Sequence, residues 1–119
     1  LNIGELDFLV FEHVFENEKG YVDWLKEDYL KDKDANTFFA NPVSRFSTDM
    51  TDAWKVVKKM NERGYYFSLE QDSDLGFDVC FTDAFYNDDI TKKAVYTHVN
   101  AEKAICLAAL KILNVEVTQ

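Results

Sequence analysis

Apolar residues recur at helical spacing in three stretches of the chain and alternate with polar ones in two others. The first stretch predicts a helix over about residues 3–16. Ile3, Leu6, Val10 and Val14 form one stripe, and Phe8, Phe11 and Phe15 form a second beside it. A face that wide needs more than one neighbour: a sheet plus another helix, or a sheet plus a second subunit. Asn2 stands at the cap position with Glu5 three residues on. A second helix is predicted over about 49–63. Met50, Ala53, Trp54, Val57 and Met60 form its buried stripe, Ser47 or Thr48 its N-cap, and Gly64 its stop. Asp49 and Asp52 lie at its positive end, and Lys58, Lys59 and Arg63 at its negative end.

Strands follow. Residues 65–71 place Tyr65, Phe67 and Leu69 on one face and Tyr66, Ser68 and Glu70 on the other. Residues 77–82 separate Phe77, Val79 and Phe81 from Asp78, Cys80 and Thr82 in the same way. A turn through Asp72–Gly76 joins these two, and a loop through Asn87, Asp88 and Asp89 leads to a third strand at about 92–99. Short links make an antiparallel meander the economical topology. The last helix, over about 101–113, is capped by Asn100 and ended by Asn114. It is apolar or small at every position from Ala104 to Ala109, so it belongs between the sheet and another layer. The tail from Val115 is expected to add an edge strand or to fray.

Residues 17–45 show neither period. Large side chains (Tyr21, Trp24, Tyr29, Phe38, Phe39) stand among charges, and Pro42 turns Asn41 away from helix. This reads as an irregular strap between the first two helices. With 119 residues, 47% of them apolar, the whole chain (1–119) is expected to form one domain. No apolar run approaches the roughly 18 residues of a membrane span. Cys80 and Cys106 both lie in apolar surroundings, and the expectation is two reduced, buried thiols.

From the second helix onward the order is αβββα, that of double-stranded RNA-binding domains. The chemistry opposes that reading, because the last helix opens Asn100-Ala101-Glu102-Lys103 and not with phosphate-binding lysines. A different resemblance is visible in ELDFLVFEHVF (5–15), RFSTDMTDAWKVVKKM (45–60) and AICLAALKIL (104–113). These blocks resemble the three helical blocks of the phage ABA sandwich domain family. The resemblance implies a small phage or prophage protein in the cytoplasm of a bacterial host, with helices on both sides of a sheet. It implies no activity. The fold expected is therefore α/β of the α+β type, a single-domain α-β-α sandwich around an antiparallel sheet of three or four strands. Helix one would cover the second face of the sheet or build an oligomer interface.

Few residues suggest chemistry. Ser47-Thr48-Asp49 reads as a cap, and a serine nucleophile would need an oriented base. His13 and His98 lack the short ligand spacings of a zinc site, so no metal is expected. Asp72, Asp74, Gly76, Asp78 and Asp83 resemble a calcium loop superficially, but the glycine falls one position early and strands flank the run. No glycine-rich phosphate loop is present and no cofactor is expected. The chain is read as non-enzymatic.

Charge adds more. The net of −9 argues against direct nucleic-acid binding and against an anionic membrane. It is unevenly spread. Residues 65–91 carry seven acids (Glu70, Asp72, Asp74, Asp78, Asp83, Asp88 and Asp89) and no base, whereas 41–64 and 92–119 are mildly basic. The leading expectation is an accessory protein that binds a host protein, with these acids acting as a decoy surface and Tyr21, Trp24, Phe38 and Phe39 as further contact candidates. The alternative is an oligomeric sponge for a small host nucleotide, an anti-defence role, with Arg45, Lys55, Arg63, Lys92 and Lys93 for its phosphates. A homodimer is compatible with both.

Overall fold

The computed structural model describes residues 3–15, 45–72, 74, 76–83 and 93–117. The strap and the loop before the third strand therefore lie outside the described residues, and with them Tyr21, Trp24, Phe38, Phe39, Asp88, Asp89 and Lys92. The elements are α1 (Ile3–Val14), α2 (Met50–Glu62), β1 (Tyr66–Asp72), β2 (Gly76–Thr82), β3 (Lys93–His98) and α3 (Ala101–Ile112). The class is α+β, and the sheet is the expected antiparallel meander in the order β1-β2-β3. No helix among the described residues is long and apolar enough to cross a membrane.

The burial of α3 organises the layers. Ala104 to Leu110 are all buried, as are Ala101 and Ile112. One side of α3 lies on β3 and β2, and its other sides meet α2 and α1. Its alanines, with no side chain beyond Cβ, let these neighbours approach closely. The inner sheet face supplies Val79, Phe81 and Ala94, with Phe67, Leu69 and Tyr96 partly buried against them. α1 packs on α3 and α2, not on the second face of the sheet. The stripes of α1 are as the spacing predicts, with Leu6, Phe8, Val10, Phe11 and Val14 buried. The three described helices thus stand on one side of the sheet. The tail from Val115 to Val117 forms no strand.

Both later helices end in the same hydrogen-bonded stop. In α2, Tyr65 N–H donates to Met60 O (2.9 Å) and Gly64 N–H to Asn61 O (3.0 Å), with Gly64 at φ +95°. In α3, Val115 N–H donates to Leu110 O (2.9 Å) and Asn114 N–H to Lys111 O (3.1 Å), with Asn114 at φ +62°. Glycine and asparagine are the residues that adopt this left-handed geometry at least cost. α1 ends differently. Arg63 Nη1 donates to His13 O (2.6 Å) and Val14 O (3.1 Å), so a guanidinium from the end of α2 satisfies carbonyls that α1 leaves open. Gly76, at φ +105°, lets β2 begin against the backbone of His98 and Val99, where a Cβ would collide with both.

Three local expectations change. Asp49, not Ser47 or Thr48, caps α2, accepting from Thr51 N–H (2.8 Å) and Asp52 N–H (3.4 Å). Ser47 is otherwise engaged: it is buried, and its N–H donates to Asp7 Oδ1 at 2.9 Å. Trp54 is 49% exposed while Val56 is buried, because the apolar face of α2 centres on Ala53, Val56, Val57 and Met60. Trp54 stands at the rim of that face with its ring edge-on to Phe67 at 5.6 Å. Asn100 holds the cap position of α3 without a side-chain cap bond.

Asp7 is the one buried carboxylate among the described residues. Burial raises its pKa, and the nearby Ser47 hydroxyl and N–H oppose that, as does Arg45, while Asp52 adds to it. The Ser47 Oγ is itself buried without a hydrogen bond of good geometry. A carboxyl raised in the folded state holds its proton to higher pH than in the unfolded chain. Its contribution to stability is therefore greatest in acid and declines as pH rises from the ordinary carboxylate range through the raised value. Asp7→Ala leaves the Ser47 N–H without an acceptor and should cost about 1–3 kcal/mol. Asp7→Asn keeps an acceptor and removes the charge. It should cost less than the alanine variant and flatten this pH dependence, as urea unfolding in acid and in mild alkali would measure.

Candidate functional site

The open face of the sheet is a three-by-three array set by the register. Tyr66, Thr82 and Lys93 form one row, Ser68, Cys80 and Val95 the middle row, and Glu70, Asp78 and Thr97 the third. Tyr66 and Val95 are each 41% exposed. Ser68, Glu70, Lys93 and Thr97 are exposed, and Asp78, Cys80 and Thr82 half-buried.

The third row lies at the hairpin end, and the acids gather there. Asp72 ends β1 and Asp74 stands exposed in the turn just beyond. Glu70 is directly opposite Asp78. Like charges facing each other across an antiparallel pair oppose folding by some tenths of a kcal/mol, up to about 1. The Thr97 hydroxyl donates to Asp78 Oδ1 at 2.6 Å and steadies one of the two. Asp83 does not belong to this group. It follows β2 at the other end, five residues and so about 16 Å of strand beyond Asp78, which separates the acids that resembled a calcium loop. Among the described residues no group of three His, Cys, Asp or Glu is placed to hold a metal ion. His13 Nε2 lies 3.5 Å from Glu12 Oε1, and His98 Nδ1 accepts from Asn100 N–H at 3.0 Å.

The basic candidates are dispersed. Arg45 and Lys55 lie at the start of α2, where Lys55 pairs with Asp52 at 2.9 Å and Arg45 N–H donates to Asp52 Oδ2 at 2.8 Å. Burial raises the Asp52 carboxyl pKa, but the bonds and charges from Lys55 and Arg45 outweigh it and hold the group below its ordinary value. Arg63 follows the far end of the helix, about 12 Å of helical rise beyond Lys55 at 1.5 Å per residue, with its guanidinium on the α1 carbonyls. Lys93 stands at a corner of the sheet's open face.

Sequence reasoning overlooked two of these features. Asp7 falls inside the apolar stripes of α1, four residues after Ile3 and four before Phe11, and a carboxylate at such a position signals a buried bond. The Glu70–Asp78 opposition needed the strand register, which no local signal supplies.

The two thiols differ from the expected buried pair. Cys106 is buried in α3, and burial, with the charges of Asp7 and Glu102, pushes its pKa well above the ordinary value. Cys80 is half-buried at the centre of the open face. A thiol-alkylating reagent should therefore modify Cys80 in the native protein and reach Cys106 only after denaturant is added. Equal labelling of both under native conditions, read by peptide mass spectrometry, would contradict this placement.

The three sequence blocks that resemble a known family meet in the helical layer. Asp7 of the first block faces Ser47 of the second and Cys106 of the third, and the Phe15 and Phe46 rings stack at 5.3 Å. No curated protein and no solved structure matches the chain. The model of one family, the phage ABA sandwich domain, matches residues 9–110, from within α1 to near the end of α3. The chain belongs to the phage ABA sandwich domain family.

Proposed function

We propose that this small phage protein works without catalysis, by binding a host protein in the bacterial cytoplasm through the acidic hairpin end of its open sheet face. The row Glu70–Asp78–Thr97, with Asp74 exposed in the turn just beyond, carries the reading. The like-charged pair opposes folding, and the packing of the core makes no use of it. Carboxylates on neighbouring strands are held about 5 Å apart on a rigid surface. That arrangement suits a basic surface such as a nucleic-acid-binding protein presents, and it steers the encounter between them. The buried position of Ser47 and the local engagement of both histidines favour binding over acyl-transfer chemistry.

The test is capture from host lysate with the wild-type chain and with a Glu70→Gln, Asp74→Asn, Asp78→Asn variant. These changes keep side-chain size and the acceptor for Thr97. A basic host protein retained by the wild type at low salt should be lost from the variant and released by moderate salt. Equal retention by a variant whose circular dichroism is unchanged would remove the acidic end from the function.

A further inference from the structure

We infer that the open edge of β3 is where two copies of this chain pair, joining their sheets into one of six strands. Among the described residues, β3 is the last strand of the sheet. The Val95 carbonyl accepts from Lys111 Nζ at 3.1 Å, so this group is turned away from β2, toward the edge. In an antiparallel ladder the N–H and C=O of one residue point the same way, and alternate residues share that direction. Lys93, Val95 and Thr97 thus present their backbone groups to the edge.

A two-fold axis through Val95 gives an antiparallel register that suits every pair. Val95 faces Val95 of the second copy, a β-branched pair on the open face. Ala94 faces Tyr96 of the second copy on the inner face, a small residue against a large ring. Lys93 faces Thr97 of the second copy, whose hydroxyl is bonded to Asp78. Each Lys93 ammonium thereby meets the acidic row of the other copy, and symmetry makes this contact twice. Centring the pairing on Lys93 instead would set two ammonium groups face to face. The inner side of the same edge carries a groove of about 700 Å³, lined by Tyr96, Leu107, Lys111, Val115, Glu116 and Val117. A second copy pairing here brings its own Tyr96 beside this groove.

Lys111 guards the edge. A lysine over an exposed strand is a common protection against unwanted pairing. Here its ammonium occupies the carbonyl that a second strand's N–H would take. An exposed bond of this kind is weak, so it tunes the pairing without abolishing it.

Sedimentation equilibrium over a range of concentrations tests the assignment, and no host partner enters it, so its outcome is independent of the function proposed above. The wild type should show a reversible monomer–dimer equilibrium, and Lys111→Ala should shift it several-fold toward dimer. Val95→Pro removes the outward N–H at a position where an edge strand tolerates proline and should weaken the dimer. Lys93→Glu, on the exposed face, should weaken it by about tenfold, since each copy then sets a carboxylate beside the acidic row of the other. Adding Asp78→Lys to Lys93→Glu should restore it. A monomer in both the wild type and Lys111→Ala, or a dimer indifferent to both Val95→Pro and Lys93→Glu, would overturn the inference.

Discussion

A helix that is apolar on every side must be covered on every side, and α3 imposes that demand on the rest of the protein. From Ala104 to Leu110 it offers no polar face. The sheet covers one side, α2 a second and α1 a third. Burying side chains such as Ile105, Leu107 and Leu110 contributes about 1.5–3 kcal/mol each, more than any cap or ion pair described here. The alanines between them keep the layers close, so the neighbouring elements have little freedom to shift.

Polar contacts then fix how the covering elements sit. The Asp7 carboxylate takes the Ser47 N–H and holds the turn before α2 against α1, while the Arg63 guanidinium closes the other end of α1 from the end of α2. The two helices are clasped at both ends by bonds between side chain and backbone. The three blocks that resemble the family lie on these packed helices. The sheet, which the family match also spans, turns its other face away from these helices.

The side of the sheet that faces the helices carries the apolar core, while the outer face of α2 is exposed and mostly polar. The open side is polar, with acids at one end, a lysine at the other and a thiol at the centre. Such a face contributes little to the core, so its residues are less constrained by packing. Among the described residues, the hairpin end of the sheet and the outer face of α2 are both exposed.

The elements, their order, the inner and outer faces of β1 and β2 and the central place of α3 were legible in the sequence, because each follows from the period of apolar residues along a single segment. The stop residues Gly64 and Asn114 were legible for the same local reason. The N-cap of α2 was not. Ser47, Thr48 and Asp49 are all good caps, and Asp49 holds the position because Ser47 is drawn to Asp7, forty residues away in the chain. Trp54 suits the periodic stripe, yet the buried face of α2 centres on Ala53, Val56, Val57 and Met60 and leaves it at the rim. Of the acidic block read as one run, Glu70 and Asp78 converge while Asp83 departs, since strand register decides which acids meet. The mildly basic stretch around α2 likewise resolves into separately engaged groups, Lys55 on Asp52 and Arg63 on the α1 carbonyls. Periodicity along the chain determined the elements and the faces they bury. Only tertiary structure decided which polar groups are neighbours, because those distances depend on how separate segments pack.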